Sequence, residues 1–316
     1  MKKKRVSFII FVLISMILFN GCIQKKVKLS LKLKKGDSFK IDMLFEQKVT
    51  QEIKDRKTEV DSRCNIGYSC FVTDVDENKN ATVQVSFDSL NIKSMANNGQ
   101  TLEYNSGDPT ADMSDLSKVY STLIGEEFTV KISEDGKIKE VMGIDKIIEK
   151  VLKELNIKNS KQQEEIQKMI VEQFGDEALT KQVQNITSVY PDEPVKSGDT
   201  WEKKTDVSSE YPLQAESKYT LVESKDKMSE ITVDSKVKTK DNAEPLILGN
   251  IKISYDIEGT QKGTLNVDEE SGITKHVEMT HKYSGKIKFT SEDPNIGAQT
   301  FPMTAEGRTV ISISGK

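Results

Sequence analysis

Three short constellations in this 316-residue chain have the letters of chemistry. Gly36-Asp37-Ser38 is the block of a serine esterase, but such a nucleophile needs a sharp elbow and a downstream acid and histidine. The chain has neither a Gly-x-Ser-x-Gly elbow nor a suitably placed Asp-x-x-His, and the same letters recur as Gly198-Asp199-Thr200. A tight turn whose aspartate bonds nearby amides accounts for both. Asp74-Val75-Asp76-Glu77-Asn78 puts oxygens at the first, third and fifth places of a calcium loop. Lys79 stands where glycine must bend that loop and Val85 where a bidentate glutamate must close it, which favours a solvated hairpin turn. His276 and His281, the only histidines, are five apart in strand-like sequence. They therefore point to opposite faces and cannot share a metal within that strand. No nucleophile, base and orienting acid come together, so the chain reads as a non-enzyme with no catalytic residue, no metal and no cofactor.

The cysteines carry a different chemistry. Lys2, Lys3, Lys4 and Arg5 precede an apolar run from Val6 to Phe19, interrupted only by Ser15 and ending at Asn20-Gly21-Cys22. Charged, apolar and small-residue segments in that order make a secretory signal. The run of about 14 residues falls short of the roughly 20 that span a bilayer. Leu18-Phe19-Asn20-Gly21-Cys22 resembles the lipobox of bacterial lipoproteins, in which the cysteine is lipidated and becomes the mature N-terminus. Gly21 and Cys22 fit that pattern, whereas Phe19 and Asn20 depart from its commonest residues. Acyl chains such as palmitate on this thiol bury enough methylenes to hold a soluble domain at a membrane. Cys64 and Cys70 then lie outside the cytosol. On one extended strand they stand roughly 20 Å apart, too far for a disulfide. A bridge needs Asn65-Ile66-Gly67 to turn the chain back, and both states stay open.

The elements that must position these residues are mostly strands. From Val27, Leu29, Leu31 and Leu33 alternate with Lys28, Ser30 and Lys32, the pattern of a half-buried strand. Lys35-Gly36-Asp37 turns the chain into a second strand with Phe39, Ile41, Met43 and Phe45 in step, and a hairpin follows around Asp76 to Asn80. The stretch Ala96 to Asp115 reads as an exposed loop. A short helix over Asp115 to Ile124 and a hairpin at Glu134-Asp135-Gly136 come next. The period then changes: Ile144, Ile147, Ile148, Val151, Leu152 and Leu155 form one stripe of a helix. Ser160-Lys161-Gln162-Gln163 opens a second helix through Ile166, Met169, Ile170 and Phe174, and Asp176 a third through Leu179, Val183 and Ile186. Beyond Pro194 strands return, at Tyr219 to Val222, Ile231 to Val237, Ile251 to Ile257, Gly263 to Val267, Ile273 to Tyr283, Ile287 to Phe289 and Thr309 to Ile313.

An internal echo links the two ends. Leu33-Lys34-Lys35-Gly36-Asp37-Ser38-Phe39 matches Val195-Lys196-Ser197-Gly198-Asp199-Thr200-Trp201, which marks either a duplicated β-rich half or the chance likeness of two strand-opening turns. With the lipobox, Ser133 to Ile138 and Tyr190 to Trp201, these motifs resemble a family of uncharacterised bacterial lipoproteins carrying a domain of unknown function. That resemblance covers most of the mature chain and implies no reaction or ligand. The order of strands, helices and strands also resembles lipoprotein-carrier folds, in which a curved sheet shelters an apolar cavity beneath helices.

Composition bounds the rest. Hydrophobic residues make up 35% and charged residues 30%, as in a soluble globular body. The net charge is -4, and residues 1–21 hold four basic residues and no acid, so the remainder is more acidic still. That excludes a general nucleic-acid binder. The expected fold is α+β and β-rich: a large curved antiparallel sheet, in two similar halves if the echo is a duplication, with two or three central helices packed on one face. Residues 1–21 are expected to be a lipoprotein signal peptide, 22–26 the lipidated N-terminus and short tether, and 27–316 a β-rich body. Within the body, 27–142 is the first β half, 143–190 the helical segment and 191–316 the second β half. The expected role is a non-catalytic binding protein of the cell envelope, anchored to the membrane through its N-terminal lipid on the extracytoplasmic face. Its further partner is an apolar or lipid-like ligand, or alternatively an envelope protein, and no nucleic acid. Cys22 is the lipidation site. Ligand-pocket candidates are Ile144, Ile147, Ile148, Val151 and Leu152, a stripe that serves equally well as core, together with Tyr190 and Trp201.

Overall fold

A computed structural model describes residues 26–53, 56–108, 115–156, 164, 167–168, 171, 175–177, 180, 187, 189–207, 212–248, 251–291 and 297–315. The signal segment, Cys22 and most of the second and third expected helices lie outside the described residues. In chain order the elements are β1 (Ser38–Ile53), β2 (Arg56–Val75), β3 (Ala81–Ala96), β4 (Thr101–Asn105), α1 (Asp115–Leu123), β5 (Glu127–Ile132), β6 (Ile138–Met142), α2 (Ile144–Leu155), β7 (Thr200–Asp206), β8 (Leu213–Lys225), β9 (Met228–Thr239), β10 (Leu246–Leu248), β11 (Ile251–Asp268), β12 (Thr274–Ser291) and β13 (Ala298–Gly315). Among the described residues no helix is long and apolar enough to cross a membrane.

The strands form one antiparallel sheet of thirteen, ordered β6-β5-β3-β2-β1-β13-β12-β11-β9-β8-β7, with β4 beside β3 and β10 beside β11. Registered pairs keep the alternating apolar residues together. Phe39 faces Cys70, Cys70 faces Val85 and Val85 faces Phe128; in the other direction Ile41 faces Ile313 and Val277 faces Ile311. One face is therefore apolar and the other polar. Two expectations change. The supposed loop after Ala96 contains β4, because Leu102 and Tyr104 alternate and the strand pairs with Asn91 to Met95 of β3. The separate runs Ile251 to Ile257 and Gly263 to Val267 are one strand, as are Ile273 to Tyr283 and Ile287 to Phe289. The interrupting glycines sit inside those strands, where a Cβ on Gly259 or Gly285 would lie 2.1 Å from a neighbouring carbonyl oxygen. Such close approach suits a bend rather than a break.

The two echoed turns are built from the same hydrogen bonds. Lys34 N donates to Asp37 Oδ2 at 2.9 Å, and Lys196 N to Asp199 Oδ2 at 3.0 Å. Gly36 N donates to Val72 O at 2.9 Å, and Gly198 N to Leu221 O at 2.7 Å, with φ of 92° and 91°. A left-handed residue is required at that place in each turn, which is why glycine recurs.

The segment before β1 pairs otherwise than its alternation predicts. Rather than entering the sheet it crosses the apolar face as a strap. Val27 and Val195 exchange two backbone hydrogen bonds, of 2.7 and 3.0 Å, Leu31 N donates to Glu134 O at 2.8 Å, and Lys32 N donates to Ser271 O at 2.7 Å. Val27 and Leu29 are buried in one core with Tyr190, Leu221, Ile231 and Val267. The stripe of α2 shares a second core with Val83, Val85, Phe87 and Phe128. Leu31, Leu33, Phe39 and Ile41 touch both cores. The strap rests on Gly272, whose φ is 75° and whose Cβ, if present, would meet Ser30 O at 1.8 Å. Gly272→Ala is expected to destabilise the fold by more than about 1 kcal/mol in urea denaturation and to speed proteolytic cleavage within residues 26–33.

Candidate functional site

Where the two cores meet they leave a cavity of about 140 Å³. Its floor is the apolar sheet face: Phe39, Ile41 and Met43 of β1, Tyr68 and Cys70 of β2, Val83 and Val85 of β3, Phe128, Val130 and Ile132 of β5, and Ile313 of β13. Leu31 and Leu33 of the strap, Ile273, Thr274, Thr187 and Tyr190 complete it. The strand period delivers every floor residue, since side chains two apart on a strand share a face. Burial pushes the Cys70 thiol up to about 12, so it stays protonated at neutral pH.

Tyr190 and Thr274 are among the hydroxyl-bearing residues that line this apolar space. Tyr190 Oη is buried and donates to Gly272 O at 2.6 Å. Burial raises its phenol well above the ordinary range, and the nearby Thr274 hydroxyl partly opposes that shift. The two side chains nevertheless do not meet hydrogen-bond geometry: Thr274 Oγ1 is buried and has no hydrogen-bond partner among the described residues. Such an orphan costs free energy unless something pairs with it.

Of the expected pocket residues, Tyr190 lines the cavity. Ile144, Ile147, Ile148 and Val151 are buried in the second core, with Val83 and Phe128, and Leu152 packs against it, but none of the five lines the cavity. Trp201 is also outside the lining. It stacks on Tyr219 with centroids 5.6 Å apart and donates Nε1–H to Val189 O at 2.9 Å, which fastens the segment carrying Tyr190 to the edge strand β7. Leu31, Leu33, Thr274 and the sheet residues went unread as a site, because alternation marks a strand's inner face without saying where that face is left uncovered.

The other candidates resolve into turns, packing and reduced thiols. Asp76 accepts from Asn78 N at 3.0 Å and Asn80 N at 2.9 Å and pairs with Lys131 at 2.9 Å. The bonds from Asn80, then that from Lys131, hold its carboxyl below the usual range. His276 lies beside Ser312, at 3.4 Å. His281 stacks on Tyr283 and sits 3.3 Å from Gln47, and burial lowers its pKa. Cys64 and Cys70 share the unturned strand β2 and are free thiols. Among the described residues no three of His, Cys, Asp and Glu gather as a metal site.

A family model described as a family of unknown function, DUF6263, matches residues 78–274. No curated protein matches the chain. Among solved structures, lipovitellin, studied for its lipid–protein interactions, is similar at 10% identity and a TM-score of 0.49, over 90% of this chain and 26% of that one. The chain thus spans about a quarter of lipovitellin's length. An outer membrane channel from Pseudomonas putida F1 matches at 7% identity and a TM-score of 0.21, over 90% of this chain and 97% of that one. A DUF1329 family protein from Desulfovibrio piger matches at 9% identity and a TM-score of 0.12, over 86% and 83%. At these scores the likenesses carry no functional argument.

The orphan hydroxyl supplies a test of the site. Replacing it with a methyl group of the same shape removes an unpaired polar atom, so Thr274→Val is expected to raise stability by about 1 kcal/mol in urea denaturation. A loss of stability would show that Thr274 Oγ1 is already paired in the resting protein.

Proposed function

Since the chain belongs to DUF6263, a family of unknown function, its cavity is the guide, and we propose that it is a non-catalytic binding protein for an apolar or lipid-like ligand, held at the outer face of the cytoplasmic membrane by an acylated Cys22. The observation that carries this reading is an apolar cavity with one unpaired, buried hydroxyl, a combination that suits a largely apolar molecule with a polar atom to orient it. Size bounds the ligand. At about 140 Å³ the cavity is close to the roughly 150 Å³ engineered cavity that binds benzene, room for one ring or a short stretch of acyl chain. A whole lipid needs the walls to move.

The anchor belongs to the same reading. Four residues lie between Cys22 and Val27, so the five steps from one to the other span at most about 18 Å of extended chain. The strap that roofs the cavity therefore begins near the lipid. We also read the twin turns and the strand order as two similar halves, β1-β2-β3-β5-β6 answering β7-β8-β9-β11-β12, with β13 joining them and the helices covering the apolar face.

Two measurements test this. Radiolabelled palmitate is expected to enter the wild-type protein in bacterial cells and not Cys22→Ser; equal labelling of both would remove the anchor. Native mass spectrometry of the gently purified protein is expected to reveal a co-purifying apolar molecule. Stripping it should expose Cys70 to alkylation, and adding benzene at about 100 times its Kd should restore protection and stabilise the fold by about 2.7 kcal/mol. A protein with nothing bound, no thermal shift and unchanged alkylation would refute a ligand cavity.

A further inference from the structure

A second concavity shares a wall with the cavity, and its charges say what the outer end of a ligand would be. This cleft, of about 880 Å³, is lined in part by Lys28, Leu29 and Ser30 of the strap, Ser133 and Glu134 of the β5–β6 turn, and Tyr190. The wall is continuous along the chain: Leu29 and Ser30 face the cleft and Leu31 the cavity, Ser133 the cleft and Ile132 the cavity, while Tyr190 lines both. Tyr190 is the one residue common to the two linings.

The four acids that line the cleft are all paired. Glu134 meets Lys79 at 3.2 Å, Asp135 meets Lys137 at 2.6 Å, Asp192 meets Lys203 at 2.8 Å and Asp206 meets Lys240 at 2.6 Å. Lys204 is taken by Glu216 at 3.3 Å. Lys28 and Lys139 line the same cleft and have no ion pair among the described residues. An apolar chamber thus adjoins, at one tyrosine, a polar space whose negative charge is neutralised and whose two spare charges are positive.

We propose that the ligand is a single-chain amphiphile with an anionic head, its tail in the cavity beneath Tyr190 and its carboxylate or phosphate in the cleft between Lys28 and Lys139. This rests on the cavity being a ligand site. Both lysines are exposed, so their contribution is modest and salt-sensitive.

The test uses the purified full-length protein, stripped of bound lipid, with octanoate, octan-1-ol and octyltrimethylammonium as probes and protection of Cys70 from N-methylmaleimide as the readout. Octanoate is expected to protect at lower concentration than octyltrimethylammonium, and to weaken as salt rises while octanol does not. Lys28→Gln/Lys139→Gln is expected to weaken octanoate about two- to tenfold and leave octanol unchanged. Octyl phosphate and octanoate, compared in the same way, separate a phosphate-headed source from a fatty acid. If octanol protects but octanoate does no better than the cation, or the double variant binds octanoate as the wild type does, the anionic head is refuted while the apolar site stands. If no probe protects Cys70, the cavity reading itself falls.

Discussion

A sheet with one wet face and one apolar face depends on register, because a slip of one residue carries the whole inward set to the water side. Here the constraint runs across thirteen strands. The pairs from Phe128 through Val85, Cys70 and Phe39 hold only while β1, β2, β3 and β5 keep their offsets. Each echoed turn locks one offset, since its glycine amide and aspartate carbonyl bond residues of the strand that returns beside it: Val72 in one case and Leu221 in the other. An apolar face of this breadth cannot be left to solvent. It is covered by different pieces in different places, the α2 stripe in one core and the strap with Val189 to Val195 in the other. The cavity is the place where two separately packed covers meet without filling the space between them.

One band of the inner face breaks the apolar rule in an orderly way. Register aligns Ser94, Ser62, Gln47, Gly307, His281, Gln261, Ser235 and Ser217 in a single row across eight strands. Ser62 and Ser94 are 2.8 Å apart, as are Ser217 and Ser235, and Gln47 reaches His281 across Gly307. Paired with one another or, for Gln261, with the Tyr283 hydroxyl, these groups avoid the cost of burying a polar atom alone. Beyond the row a third core forms around Leu213, Ala215, Val237 and Ile257. Thr274 is set apart from this row: it is a buried hydroxyl on the same sheet whose neighbours leave it unpaired.

Local rules made most of the architecture legible. Alternation located the strands, and the stripe of Ile144, Ile147, Ile148, Val151 and Leu155 is the buried side of α2, as its spacing requires. Lys-x-Gly-Asp marked both turns through the left-handed glycine and the aspartate that bonds back. What stayed hidden is long-range. Leu29, Leu31 and Leu33 alternate as a strand does, but whether such a segment joins a ladder or lies across one depends on partners more than a hundred residues away, Glu134, Val195 and Ser271. The cavity was unreadable for the same reason. It is made of ordinary inward residues from five strands, and only the poor fit of their covers distinguishes them. Trp201, a pocket candidate by sequence, instead holds Val189 and so sets the position of Tyr190.

The relative strength of the two walls decides how a molecule would enter. Lifting the strap breaks four backbone hydrogen bonds and exposes Val27 and Leu29, a cost of about 5–12 kcal/mol when each bond is worth roughly 1 kcal/mol and each aliphatic side chain roughly 2. Swinging Tyr190 breaks one hydrogen bond, to Gly272, and moves one ring from a buried site into the cleft, about 2–4 kcal/mol by the same scale. A state that far above the ground state is populated at about 0.1% to a few per cent, enough for a ligand to select it. For the proposed ligand, the strap, continuous with the proposed anchor, would be the fixed roof, and the tyrosine facing the cleft the door.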